Sequence, residues 1–352
     1  LAALVAGAST ASPMVVGRWR GALWGAVGAC AAVRVLSATQ APVSIMVTLA
    51  LGASVGSAVL VAFGSPQRRP GSATLRAALA TGAFDVDDLS DEEAGVGVRR
   101  YHGTSHGRRV DVTYLDRDDR DTELFARVVR SVRVRDVDEQ TISTRPRQRA
   151  AYLAMVTSMA ERAGARVPEV LAVVPADGDS AVYVTASPPG TPLDDHGSDA
   201  VSDAALDDAW SQLRHLHEAR IAHRSVSAGN VVLDGDEVTL TGLDTMVLAA
   251  SADARAVDRV EMLVATALVV GVDRALDAAM RNVDRAALEA ALPFVQTPAL
   301  PAHAARLIGK QRRKIVDELR VGLQERLGVE PVALAELERI SVGKVVSWVG
   351  FA

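Results

Sequence analysis

The sequence is short of several residue types, and each shortage excludes a class of protein. It holds one cysteine, Cys30, which excludes a disulfide-stabilised scaffold and a zinc site built on several cysteines. Its seven histidines show no metal-ligand spacing, so we expect no metal site. Aromatic residues make up only 4% of the chain, and none is interleaved with the arginines between 127 and 149, so we expect no nucleic-acid partner.

Charged residues are rare at one end of the chain. Residues 1–64 contain three of the 38 basic residues (Arg18, Arg20 and Arg34) and none of the 43 acidic ones. Two apolar runs at about 21–39 and 42–63 predict transmembrane helices, because the second would be about 33 Å long and a bilayer core is about 30 Å thick. Residues 1–17 predict part of an earlier one. A signal peptide is the alternative, but it would explain one short run rather than two.

The positions of the arginines predict an orientation. Arg18 and Arg20 precede the first run, Arg68 and Arg69 follow the second, and the turn between the runs carries no charge. Arginine-rich loops of membrane proteins stay on the cytoplasmic side of the membrane. We therefore expect the helices to lie in a bacterial inner membrane and residues 66–340 to lie in the cytoplasm. The excess of arginine over lysine is typical of a high-GC bacterial genome.

Gly52, Ser54 and Gly56 match G-x-S-x-G, the nucleophile motif of α/β-hydrolases. That motif needs a strand, a sharp turn and a helix, whereas these residues fall inside an apolar helical run. We expect the glycines to form a close helix-packing face instead.

The remaining sequence predicts a mixed α and β domain. Residues 65–82 predict a linker by their Pro, Gly and Arg content. The alternation of Val110, Val112 and Tyr114 predicts a strand of a hairpin, and helices are predicted at 123–135, 148–163 and 202–219. Seven arginines between 127 and 149 fit either a surface facing anionic headgroups or an ordinary solvated one.

One stretch carries a specific motif. His223, Arg224 and Asn230 have the spacing of the protein-kinase catalytic loop, H-R-D-x-x-x-x-N. Gly242 then falls where a kinase has the Asp of D-F-G, and Asp258 fits the aspartate that ties down the catalytic loop. The chain resembles a protein kinase over residues 83–293, which implies a two-lobed α+β domain. We expect this domain to lie between the transmembrane helices. We also expect a helical extension at 294–340.

The resemblance fails at the residues that perform phosphoryl transfer. Ser225 stands in place of the base, Gly242 in place of the principal metal ligand, Thr113 in place of the phosphate-binding lysine, and Ala150 in place of its glutamate partner. We therefore expect a pseudokinase with no catalytic residue and no cofactor. Weak nucleotide binding stays open as an alternative, because Arg108 or Arg109 can take the place of the missing lysine as the phosphate contact. The predicted vestigial pocket comprises Gly103, Gly107, Thr113, His223, Ser225, Asn230, Gly242 and Asp244.

The segments that flank the kinase-like region point to a resemblance with one family. The sequences at 292–300 (LPFVQTPAL), 317–320 (DELR) and 337–340 (LERI) precede a new apolar run at 341–352, which predicts the start of another transmembrane helix in a longer protein. With the other features, they resemble actinobacterial polytopic membrane proteins of the lysylphosphatidylglycerol-synthase transmembrane-region, or flippase-like, family. This resemblance implies membrane lipids as partners, anionic headgroups among them.

Three functions remain open at this point. The favoured one is a non-catalytic regulatory or scaffolding module of a membrane protein that handles or translocates lipids. The second is an atypical ATP-dependent phosphotransferase that uses Asn230 and Asp244. The third is a structural spacer that binds no ligand.

Overall fold

The computed structural model describes residues 1–11, 17–36, 42–63, 72–91, 99–115, 146–176, 180–296 and 309–335. These residues belong to two units, one spanning 1–71 and the other spanning 72–352. The predicted helix at 123–135, most of the arginine cluster before residue 146 and the predicted start of a helix at 341–352 lie outside the described residues.

The first unit contains three helices, α1 (Ala2–Ala11), α2 (Gly17–Leu36) and α3 (Pro42–Phe63). Two glycines of α3 pack directly against α1. A Cβ atom built on Gly52 would lie 2.5 Å from the carbonyl oxygen of Ala2, and one on Gly56 would lie 2.5 Å from Cβ of Ser9. The predicted helix-packing face is confirmed, since only glycine permits so close an approach.

The helices of this unit do not support the predicted membrane spans. Within the described residues, no helix combines the length and the apolar composition that crossing a membrane requires. In α2, three arginines interrupt a helix of 20 residues. The transmembrane helices expected at 21–39 and 42–63, and the partial one at 1–17, are therefore not supported by the structure.

The second unit begins with a lobe built on an antiparallel sheet of five strands in the order β1-β2-β3-β5-β4. A helix, α5, connects β3 to β4 in sequence and packs on one face of the sheet, in the place expected for the predicted helix at 148–163. The elements are β1 (Asp87–Asp91), β2 (Arg99–Ser105), β3 (Arg108–Leu115), α5 (Pro146–Arg162), β4 (Val170–Pro175) and β5 (Ala181–Ala186).

A helix also covers the other face of this sheet. Residues 72–81 form α4 (Ser72–Thr81), where a linker was predicted at 65–82. Leu75 and Leu79, one helical turn apart, are buried against Val110 and Val112 of β3. This apolar pair outweighs the flexible composition around it, because burying two leucine side chains stabilises the helix by about 3 kcal/mol or more.

The second lobe is mainly helical and follows the sheet directly. Trp210, Leu213 and Leu216 are at most 1% exposed and anchor its core on α6. Ser202 caps this helix through its hydroxyl, which accepts a hydrogen bond from the N–H of Ala205 at 3.0 Å. The elements are β6 (Thr191–Pro192), α6 (Asp203–Glu218), β7 (Val231–Asp234), β8 (Glu237–Leu240), α7 (Ala252–Val270), α8 (Val272–Asn282), α9 (Arg285–Glu289) and α10 (Gly309–Leu327).

The helical extension predicted at 294–340 packs on this second lobe. Val316, Leu319 and Leu323 of α10 recur at helical spacing and are buried in the same core as Trp210. A five-stranded sheet lobe followed by a helical lobe is the two-lobed, kinase-like α+β architecture that the sequence predicted.

Candidate functional site

The loop between α6 and β7 is held in place by one buried aspartate. Asp258, on α7, accepts hydrogen bonds from the backbone N–H groups of His223 (2.7 Å) and Arg224 (2.8 Å). It also accepts one from Nε2 of His217, at 3.1 Å. Asp258 therefore ties the centre of α7 to the loop that carries the H-R-S sequence.

The buried groups around Asp258 have shifted pKa values. Burial lowers the pKa of both His217 and His223, so both rings are neutral near pH 7. Burial opposes ionisation of Asp258, but the hydrogen bonds from His217 and from the N–H of Arg224, with electrostatic contributions of both histidine rings, hold its pKa below the ordinary value. A neutral His217 still donates its Nε2–H, so we assign an ionised Asp258 accepting three hydrogen bonds.

The ring of His223 joins this loop to the end of β8. Its Nε2 donates to the carbonyl oxygen of Thr241 at 2.8 Å, which leaves Nδ1 as the unprotonated nitrogen. Within the described residues, Nδ1 is buried and has no hydrogen-bond partner. The side chain thus fixes the position of Gly242, the next residue along the chain.

A second buried carboxyl lies one helical turn after Asp258. Glu261 is 3% exposed, and its Oε2 accepts a hydrogen bond from the N–H of Val226 at 2.8 Å. Burial and the charge of Asp258 raise the pKa of Glu261 well above its ordinary value, against smaller opposing effects of this bond and of Arg224. The backbone of this loop therefore rests on two buried carboxyl groups of α7 whose pKa values are shifted in opposite directions.

Asn230 occupies the space where the principal metal-binding carboxylate of a kinase would be. Gly242 has a φ of +72°, and a Cβ atom built on it would lie 2.4 Å from Nδ2 and 2.7 Å from Oδ1 of Asn230. The amide of Asn230 is itself used, since Nδ2 donates to the carbonyl oxygen of Ser225 at 2.8 Å and to its Oγ at 3.3 Å. An aspartate at 242 would have to displace this amide.

These residues do not fit the magnesium ions that protein kinases use. In a kinase the D-F-G aspartate and the catalytic-loop asparagine hold the metal. Here position 242 has no side chain, and Asn230 binds Ser225 with its amide nitrogen. Within the described part of the chain, no group of three or more His, Cys, Asp or Glu side chains could hold a metal ion.

The place of the kinase lysine–glutamate pair is filled by an apolar cluster. Thr113 on β3 stands directly opposite Tyr183 on β5. The ring of Tyr183 is buried with Ala150 and Leu153 of α5, and its hydroxyl bonds Oγ1 of Thr157 at 3.0 Å. Burial raises the pKa of Tyr183, which stays a neutral phenol. A lysine at 113 would therefore face this cluster rather than a glutamate.

A cation from the neighbouring strand extends instead into the space between the two lobes, which we call the cleft. Arg100 on β2 is the cross-strand partner of Thr113. Its Nη2 donates to Oδ1 of Asp244 at 3.3 Å, with the two side chains 41% and 23% exposed. Arg100 and Asp244 therefore form an ion pair between the two lobes, and Asp244 is engaged rather than open to a ligand.

Helix α5 forms a further bond to the second lobe. The hydroxyl of Tyr152 accepts a hydrogen bond from the N–H of Leu248 at 3.2 Å and donates to the carbonyl oxygen of Met246 at 3.4 Å. In a kinase the corresponding helix supplies the glutamate for the lysine pair. Here it binds the segment after residue 244 through a neutral side chain.

A polar cluster lies beside the Arg100–Thr113 row. His102 on β2 is the cross-strand partner of Asp111 on β3, and Nδ1 of His102 lies 2.7 Å from Oδ1 of Asp111. The hydroxyl of Ser187, just after β5, donates to the same carboxylate oxygen. His102, Asp111 and Ser187 thus form one hydrogen-bonded group, which we call the roof cluster.

The two glycines predicted to line the pocket lie elsewhere. Gly103 is inside β2, where a Cβ atom would lie 2.5 Å from Cγ1 of Val86, and Gly107 is at the β2–β3 turn with a φ of +77°. That turn is about five residues, or roughly 17 Å, along the strand from Arg100. Arg108 at the turn pairs with Glu169 at 2.7 Å on the surface. The structure therefore brings together His223, Ser225, Asn230, Gly242 and Asp258, with Asp244 nearby. It does not bring Gly103 and Gly107 to this site.

Sequence reasoning missed the residues that fill the cleft. Arg100 could have been found from strand alternation, since buried Tyr101 places Arg100 and His102 together on the opposite face. Glu261 could have been found from its spacing of three residues after Asp258, which puts both on one face of a helix. No sequence signal indicated the bonds of Tyr152.

The chain has matches among solved structures but not among family models or curated proteins. Among solved structures it is similar to the kinase PK-1 of the Cydia pomonella granulovirus, with 14% identity, a TM-score of 0.32 and coverage of 51% of this chain and 58% of that one. The chain therefore spans little more than half the length of that kinase.

Two other solved structures are covered more fully. One is WaaP in complex with acyl carrier protein, with 13% identity, a TM-score of 0.39 and coverage of 70% of this chain and 91% of that one. The other is the aminoglycoside phosphotransferase APH(4)-Ia in a ternary complex with AMP-PNP and hygromycin B, with 9% identity, a TM-score of 0.40 and coverage of 73% and 91%. The five-stranded sheet, the helical lobe and the bonds from Asp258 to the loop are the kinase-like features of this chain itself.

Proposed function

We propose that this chain acts through a kinase-like domain that has no phosphotransfer activity and serves as a regulatory or scaffolding module. The observation that carries the proposal is the position of Asn230, whose amide fills the space above Gly242 and is bonded to Ser225. One residue thus closes the place of the metal-binding carboxylate and contacts the residue that replaces the base.

The other parts of the site support the same proposal. An apolar cluster around Tyr183 stands in place of the lysine–glutamate pair, and Asp244 forms an ion pair with Arg100. Loss of one electrostatic contact to a transition state costs about a hundredfold or more in rate. Several such losses in one site leave little catalysis to observe, even though effects within a site are not additive.

Phosphotransfer is tested with radiolabelled ATP and the purified full chain. We expect incorporation into the protein, or into lipid, to be no higher for the wild type than for Asn230→Ala. Asn282→Ala is a matched control, because Asn282 also bonds a backbone carbonyl but lies on α8, away from the loop. Incorporation by the wild type and Asn282→Ala that disappears in Asn230→Ala would support the atypical phosphotransferase instead.

The lipid-handling role and the inner-membrane location rest on the sequence resemblance and on the arginine pattern, and both stay predictions. Protease added to intact spheroplasts should leave residues 66–340 whole if they lie in the cytoplasm. Digestion of this segment in spheroplasts, with protection in inverted vesicles, would contradict the predicted orientation.

A further inference from the structure

We propose that the cleft of this domain excludes nucleotides because two hydrogen-bonded groups, the roof cluster and the Arg100–Asp244 pair, occupy the places of the base and of the phosphates. This inference rests on the proposed non-catalytic function and goes beyond it, since a domain without phosphotransfer can still bind ATP. It assigns a specificity role to Asp111, a residue outside the kinase motifs that define catalysis.

Arg100, Asp111 and Thr113 lie on the side of the sheet that is turned towards the second lobe. Val110 and Val112 of β3 are fully buried against α4 on one face. Because side chains alternate along a strand, Asp111 and Thr113 project from the opposite face. Arg100 shares that face and reaches Asp244 of the second lobe, so the face borders the cleft.

Asp111 places a charge where a nucleotide base needs an apolar surface. The segment Val110–Thr113 aligns with the V-A-I-K sequence of kinases, in which the lysine binds the phosphates and the alanine precedes it by two residues on the same face. A methyl group at that position leaves room for a flat base. Asp111 instead holds a carboxylate that is 28% exposed and accepts bonds from His102 and Ser187.

A base stacked under this carboxylate would remove water from it and give no hydrogen bond in return. Small-molecule sites are lined mostly by apolar groups, because burying a charge without a partner is costly. Oδ2 of Asp111 has no hydrogen-bond partner among the described residues, so water is what it would lose. The roof cluster therefore disfavours a purine on chemical grounds as well as by its volume.

Arg100 and Asp244 close the phosphate side of the cleft in a related way. Arg100 lies opposite Thr113, which makes it the cation nearest to the position of the missing lysine in the register of the sheet. Its guanidinium already binds the carboxylate of Asp244 at 3.3 Å. A polyphosphate would have to break this pair and would then meet the freed negative charge of Asp244. Removal of Asp244 would turn Arg100 from a partner of the protein into a partner for phosphate.

Isothermal titration of the full chain with ADP and ATP, with Mg²⁺ and with EDTA, tests this inference. We expect no measurable binding by the wild type up to about 1 mM nucleotide. The double variant Asp111→Ala with Asp244→Ala should bind nucleotide with a Kd at least about tenfold below that concentration. The gain should be the same with Mg²⁺ and EDTA, because position 242 still lacks a carboxylate.

Two further variants of this chain serve as controls for the titration. Glu169→Ala removes a surface ion pair of the same lobe, Arg108–Glu169, and should bind no better than the wild type. Asp111→Ala alone should show part of the gain, and thermal unfolding should show that each variant is folded. Wild-type binding as tight as that of the double variant would overturn the inference, as would a folded double variant that binds no better than Glu169→Ala.

The phosphotransfer assay separates this inference from the proposed function. If the wild type binds ATP but incorporates no phosphate, the exclusion of nucleotides is wrong and the non-catalytic function stands. If it both binds and incorporates phosphate, both proposals are wrong.

Discussion

Replacement of Glu261 by glutamine should remove one component of the pH dependence of stability in the second lobe. The carboxyl is buried beneath the catalytic loop, where burial and the charge of Asp258 raise its pKa well above the ordinary value. Glutamine has nearly the same shape, and its amide oxygen can still accept the hydrogen bond from the N–H of Val226. The substitution therefore removes a titration while keeping the packing.

The sign of the effect follows from proton binding. Because the pKa of Glu261 is higher in the folded than in the unfolded state, the folded state binds more protons between the two values. The free energy of unfolding must then fall as pH rises above about 4.3, by up to about 1.4 kcal/mol per pH unit while one proton separates the states. Below the unfolded pKa the contribution is constant.

Neighbouring histidines act in the opposite direction. Burial lowers the pKa of His217 and His223, so the unfolded state binds more protons and their effect is to raise stability with pH up to about 6.5. Asp258, with a lowered pKa, contributes a rise only through the acidic range near and below its ordinary value. These groups remain in the variant, and the difference between the two proteins isolates Glu261.

Urea unfolding at a series of pH values from about 5 to 8 measures this difference, with hydrogen exchange in α7 reporting on the same lobe. We expect the variant to gain stability relative to the wild type as pH rises. Glu218→Gln, an exposed glutamate on α6, should show no such trend. Parallel curves for the wild type and Glu261→Gln would refute the reasoning, because they would mean that Glu261 binds its proton equally in both states.

Three further predictions concern the stability of the second unit, and urea unfolding checks each. Asp258→Ala should cost about 3–5 kcal/mol, because it leaves buried N–H groups without an acceptor, whereas a loss below about 1 kcal/mol would contradict the role assigned to it. Gly190→Ala should cost about 3 kcal/mol or more, since its Cβ would lie 1.9 Å from the carbonyl oxygen of Leu233, while Gly235→Ala, also at positive φ but in open space, should cost only about 1–2 kcal/mol. Tyr152→Phe should cost about 1 kcal/mol and increase hydrogen exchange at Leu248; unchanged exchange there would exclude the bond.

Local patterns were sufficient to predict several elements of the second unit. The alternation around Val112 predicted β3, and the helical periodicity at 202–219 predicted α6. These predictions succeed because each element buries one face, and burial imposes the period of the element on the sequence. The helix at 72–81 was missed because only Leu75 and Leu79 carry its pattern, in a segment whose neighbours are typical of a linker.

The site was predictable only where residues follow each other along the chain. The spacing from His223 to Asn230 placed the loop, and the missing residues at 225 and 242 could be counted. By contrast, the pairing of Arg100 with Asp244 joins residues 144 positions apart. The register of β2 against β3 and the approach of the two lobes decide that contact, and neither can be obtained from one sequence.

The placement of Asn230 over Gly242 bears on the routes by which such a domain can evolve. A single mutation of Gly242 to aspartate would push the amide of Asn230 away from Ser225 before any metal site exists, so its first effect is a loss of stability. A mutation of Asn230 first would remove the remaining metal-ligand side chain. In either order the first substitution supplies no metal site, so positions 230 and 242 would have to change together.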